Sequence, residues 1–155
     1  MFIKNFSEIN KNSVAEAGGK GASLGEMTKA KIPVPPGIVI LSGAFYDFLA
    51  ATDLTQEVAA QLAKVNYQDI NSVDRYSNVI RSLISKAPLP PILSEEILKA
   101  YRKMKAPLVA VRSSATAEDS SIASWAGELE TYLHTTEKNL LLNIGKSTHI
   151  SDKSR

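Results

Sequence analysis

"AGGKGASLGEMTKAKIPVPPGIVI", Ala17 to Ile40, passes from a glycine-rich turn through a helix-forming stretch and a proline stop into an apolar run. Gly18, Gly19 and Gly21 bracket Lys20, and the residues from Ala22 to Lys29 predict a short helix with Leu24 and Met27 on one face. Pro33, Pro35 and Pro36 cannot continue that helix and force extended backbone. Ile38 to Leu41 is short, β-branched and bounded by turn residues, which predicts a buried strand. Helix and strand therefore alternate within one segment, and the rest of the chain repeats the mixture.

Upstream, Phe2 to Ile9 reads as a short strand or sheet edge. Downstream, Ser42 is a suitable N-cap for "GAFYDFLAA", in which Phe45 and Leu49 are spaced to share a face with Phe48 beside them. Thr55 is placed to cap a helix over Gln56 to Lys64, with Val58 and Leu62 facing inward. Ser72 to Lys86 carries Val73, Tyr76, Val79, Ile80, Leu83 and Ile84, a stripe of helical period that ends at "APLPP". Ser94 and Glu96 open a further helix with Ile97, Leu98, Tyr101 and Met104 on its apolar face. Leu108 to Val111 predicts a second short buried strand with Arg112 at its exit. Beyond the small-residue loop, Leu129, Thr131 and Leu133 alternate with Glu130, Tyr132 and His134, as in a strand returning beside the previous one. A helix then starts at Thr136 or Glu137 and runs through Leu140, Leu141 and Ile144, while the polar text from Gly145 to Arg155 is expected to be frayed or disordered. The whole predicts an α+β domain, a short sheet with several packed helices.

Size and composition agree. A chain of 155 residues, 44% hydrophobic and 22% charged, is long enough for one core and has ordinary globular composition. The net charge of +2 is spread along the chain and calls for neither nucleic acid nor an anionic membrane surface as partner. The apolar runs fall far short of the roughly 20 residues of a membrane helix, and the N-terminus has no signal-peptide core. Without cysteine there is no disulfide, thiol nucleophile or thiolate metal site, and a cytoplasmic setting is the default expectation.

The chemistry-bearing positions sit at the two turn-like junctions. A glycine turn with one ammonium, immediately before a helix, suits a phosphate, because a helix start offers unpaired N–H donors and positive dipole density. The plainer alternative is a tight turn with Lys20 in solvent. It is not a Walker A loop, since Gly21 follows Lys20 and Val14 stands where the first glycine is needed. "GKST" at Gly145 to Thr148 fails too, with Leu140 at the upstream position. Arg112, at a strand end and followed by Ser113, Ser114 and Thr116, can grip phosphate oxygens bidentately, or it can pair with Glu118 or Asp119 and only pin the loop. Trp125 reads as a packing anchor, and His134 and His149 have no catalytic or metal-ligand partners at recognisable spacing.

Taken in order, "AGGKGASLGEMTKAKIPVPPGIVI" and "VAVRSSATAEDSSIASWAGELETYL" resemble the N-terminal nucleotide-binding domain of the phosphoenolpyruvate synthase and pyruvate phosphate dikinase family, to which the rifampin phosphotransferases are also related. The resemblance spans about Ala17 to Leu133. It implies the first part of an ATP-grasp fold over residues 1–136, with 137–155 a helix remnant and tail. It also implies ATP as ligand, with Lys20 and Arg112 on its phosphates, Gly127 supplying loop backbone to them and Thr131 lining the same cleft. Mg²⁺ would accompany the nucleotide, with its ligands in a second half that this sequence does not contain.

The family's phosphohistidine domain is likewise absent after Leu133, and neither His134 nor His149 has its glycine-rich context. Where relatives continue in a helix, often with an aromatic-rich stretch, this sequence gives "NIGKSTHISDKSR". The expectation is therefore a truncated piece of a dikinase-type phosphotransferase, inactive by itself, whose partners are ATP and the missing domains. An antibiotic phosphotransferase and a non-catalytic nucleotide-binding or interaction module are the alternatives. The loop from Ser113 to Gly127 is expected to be poorly ordered until nucleotide binds.

Overall fold

The computed structural model describes residues 2–114 and 131–147. Among them are six α-helices and two separate two-stranded antiparallel sheets, an α+β architecture as the sequence predicts. Strand β1 (Ile3–Asn5) pairs with β2 (Ile38–Ile40), setting Ile3 opposite Ile40. The N-terminal strand is shorter than Phe2 to Ile9 because Glu8 folds back. Its carboxylate accepts 2.8 Å hydrogen bonds from both the backbone and the side-chain nitrogen of Asn5, turning Phe6–Glu8 into a 3₁₀ turn. Those same bonds hold the Glu8 carboxyl below its ordinary pKa.

Helix α1 (Val14–Lys29) begins earlier than its sequence pattern suggests and contains the glycine turn as a break within it. It lies so close to the N-terminal segment that a Cβ at Gly25 would sit 2.6 Å from the Ile9 carbonyl oxygen. Ile9 is wholly buried there with Ala17 and Leu41. Helix α2 (Ser42–Ala51) takes Ser42 as its first residue, with Leu41 at the N-cap position. The expected capping hydroxyl instead donates to the Ala15 carbonyl at 3.3 Å, tying α2 to α1.

Helices α3 (Leu54–Leu62) and α4 (Ile70–Lys86) form a hairpin whose small core joins Phe48, Leu49, Val58 and Ile84. Asp53 in the left-handed region, not Thr55, precedes α3, and Asp69 caps α4 by accepting from the Asn71 amide at 3.0 Å. Of the predicted stripe on α4 only Ile84 is buried; Val79 is exposed. Among the described residues its buried partners lie on α2 and α3, with Ala87 and Leu89 beside them, a cover too narrow to bury the whole face. Helix α5 (Pro91–Met104) starts three residues before Ser94, at a proline whose missing N–H costs nothing in the first turn.

The main core joins Ile3, Ala44, Leu93, Ile97, Tyr101, Leu140 and Ile144, so that β1, α2, α5 and α6 (Glu137–Ser147) share one interior. Strand β3 (Val109–Arg112) lays Val109 and Val111 against it. Strand β4 (Thr131–Thr135) returns antiparallel, as the alternation predicts, but with a bulge: Val111 faces Tyr132 while Val109 faces Thr135. The extra residue is absorbed at His134, whose φ is 53°. Leu133, expected inside, is 64% exposed because it alternates with Tyr132, whose partner Val111 takes the core side; the extra residue after it turns Thr135 inward, where it is fully buried. Helix α6 runs on through Ser147, which makes Gly145 to Ser147 helical rather than frayed; the rest of the polar tail lies outside the described residues. No helix among the described residues is long and apolar enough to cross a membrane.

Candidate functional site

The glycine turn is built by a helix that breaks and restarts. Gly18 has φ 71° and ψ 169°, a combination essentially closed to residues with a Cβ. At such a break the last carbonyls of one segment and the first amides of the next lose their partners. Both ends are met by one side chain from far along the sequence. Ser114 Oγ donates to the Ala17 carbonyl at 2.9 Å and accepts from the Gly21 amide at 3.2 Å. The approach leaves no room for a side chain: a Cβ on Gly18 would overlap Ser114 Oγ and lie 2.6 Å from the Ser114 carbonyl oxygen.

That contact brings together two of the positions singled out in the sequence. Lys20 is the residue before Gly21, and Arg112 is two residues before Ser114, a stretch of chain that spans at most about 7 Å. Lys20 is half-buried and Arg112 is exposed. Thr131 lies directly across the hairpin from Arg112, in register, so their side chains leave the same side of the sheet. Val111 and its partner Tyr132 take the other side, and Val111 packs on the core. Lys20, Arg112 and Thr131 therefore belong to one neighbourhood made by α1, the end of β3 and the start of β4. Gly127 and the loop residues Glu118, Asp119 and Trp125 lie outside the described residues, as does most of the segment expected to order on nucleotide binding.

In sequence Ser114 is one more hydroxyl able to touch a phosphate, and nothing at its own position marks it as the tie between turn and strand. Its only visible signal is Gly18 itself, which the sequence assigns to a tight turn and the structure requires because Ser114 fills the place of a Cβ. The described residues contain no group of three or more His, Cys, Asp or Glu side chains able to hold a metal ion. Two open cavities, of about 540 and 670 Å³, lie elsewhere, along α5 and the start of α6. There Arg102 Nε donates to Glu137 Oε1 at 3.0 Å, a half-exposed link between the two helices that holds the Glu137 carboxyl below its ordinary value.

Residues 14–150 match the family described as the pyruvate phosphate dikinase, AMP/ATP-binding domain. The chain is 40% identical over 141 residues to a protein of Staphylothermus marinus named "Probable phosphoenolpyruvate synthase", covering 86% of this chain and 17% of that protein. It is 42% identical over 134 residues to the phosphoenolpyruvate synthase of Aeropyrum pernix, 82% of this chain and 16% of the relative. With the phosphoenolpyruvate synthase of Helicobacter pylori it shares 40% identity over 156 residues, 94% of this chain and 19% of the relative. The chain thus spans less than a fifth of the length of these relatives. The family match takes in both the broken helix and the strand exit that Ser114 joins, and the chain belongs to the pyruvate phosphate dikinase AMP/ATP-binding domain family.

Proposed function

We propose that this chain binds ATP as the first part of an ATP-grasp-like site in a phosphoenolpyruvate-synthase-type phosphotransferase, for transfer of phosphate to a histidine on another domain. Lys20 from the broken helix and Arg112 from the end of β3 hold the phosphate chain, Gly127 offers backbone to it and Thr131 lines the same cleft. Two cations with fixed origins offset triphosphate charge and favour the further charge that develops on the transferring group. Arg112 serves as a bidentate fork and Lys20 as a point charge. Mg²⁺ accompanies the nucleotide on this reading, its protein ligands lying outside this chain, and no step is assigned to it here. The relatives are five or more times longer than the matched stretch; on this reading the acceptor chemistry lies on regions beyond that stretch, and the setting is cytoplasmic.

The observation that supports this reading most is the double hydrogen bond of Ser114, which draws the Lys20 turn to within a few residues of Arg112 although they are far apart in sequence. Calorimetric titration with Mg·ATP tests it. The parent chain binds, and Lys20→Ala and Arg112→Ala each weaken binding by about tenfold or more, the loss of one charge-assisted contact. Equal binding by the parent and both variants overturns the assignment.

A further inference from the structure

We infer that the Ser114 hydroxyl is a positioning residue that splices the broken helix α1 to the end of β3, so that Lys20 and Arg112 are held as one unit. The inference rests on the nucleotide-binding reading and adds to it a residue that touches neither phosphate nor base. Three observations carry it. The non-helical Gly18 lies between the Ala17 carbonyl and the Gly21 amide, and one hydroxyl serves both, as donor at 2.9 Å and acceptor at 3.2 Å. The fit admits only glycine at 18, because a Cβ there would meet three atoms of Ser114. The two joined segments begin one residue after Lys20 and two residues after Arg112. A single-atom bridge at this point fixes the offset between two side chains that otherwise hang on separate elements.

A purely local capping role and a positioning role differ in what removal of the hydroxyl does. Local capping makes Ser114→Ala and Lys20→Ala independent. Positioning makes them overlap, because a lysine no longer held in place has little left to lose. The experiment is a double-mutant cycle on the full chain with Mg·ATP, together with amide hydrogen exchange. Ser114→Ala should weaken Mg·ATP binding by about tenfold, and Ser114→Ala with Lys20→Ala should bind no more weakly than Lys20→Ala alone. Exchange at the Gly21 amide should speed up in Ser114→Ala while amides in the middle of α4 keep their protection, which also shows the variant is folded. Ser114→Thr, which retains the hydroxyl, should restore both readouts, and it decides the matter should the alanine variant lose α4 protection as well. Strict additivity of the two substitutions, or unchanged Gly21 exchange in Ser114→Ala, overturns the inference. If the parent chain binds no Mg·ATP, the nucleotide reading fails separately, and Gly21 exchange alone then decides whether Ser114 splices the two segments.

Discussion

Gly18 shows how much of this molecule turns on single positions. Its φ of 71° with ψ near 169° is tolerated by glycine, and the Ser114 side chain fills the space any Cβ would need. Gly18→Ala combines backbone strain with overpacking and is expected to destabilise the chain by about 2–4 kcal/mol in urea titration. Gly145→Ala is the contrasting control, since a Cβ there meets nothing within 4 Å and alanine is the better helix former. Thr135 makes a similar point in the core. It is fully buried, donates to the Tyr132 carbonyl at 3.1 Å and accepts from Asn143 Nδ2 at 2.9 Å. Thr135→Val keeps the shape and strands the buried Asn143 amide, so a loss of about 1–3 kcal/mol is expected, partly recovered when Asn143 is also made apolar.

Among the elements, local pattern located most helices and strands, and long-range contacts set their ends. The stripe on Ser72 to Lys86 gives α4 correctly because helical period is a property of that segment alone. Its burial was not legible, since that depends on how much neighbouring surface α2 and α3 provide. The alternation through Thr131 gives β4, but neither the face that meets the core, which is that of Tyr132 and leaves Leu133 outward, nor the bulge at His134 that turns Thr135 inward. A bulge is set by pairing with β3, which no local pattern records. The start of α1 is hidden from local pattern for the same reason: its break is supported by a serine some ninety residues away. The link between α5 and α6 has a measurable pH signature. Arg102, hydrogen-bonded and close in charge, lowers the pKa of Glu137, so the link adds stability above the ordinary carboxylate pKa. That contribution disappears as pH falls through the lowered value. An NMR titration should place the Glu137 midpoint below the ordinary 4.5 in the parent and move it back up in Arg102→Ala. The effect on overall stability should be small, because both side chains are half-exposed and screened by water.

At the scale of the whole molecule, the helical core is an anchor for two loose ends that the sequence alone could only suspect of meeting. Val109 and Val111 seat β3 on the main core, which fixes where Arg112 emerges, and Ala17 packs with Ile9 and Leu41, which fixes where the helix breaks. The residue types at the candidate site were readable from their motifs. Their proximity was not, because it is created by packing between elements more than ninety residues apart. At 16.8 kDa the chain is within easy reach of amide NMR, and titration with Mg·ATP tests that proximity most directly. The account predicts that amides from Gly19 to Gly21 and from Arg112 to Ser114 shift together, with one midpoint, while those in the middle of α4 stay in place. Shifts confined to one of the two segments, or following two different midpoints, would contradict a shared anion site.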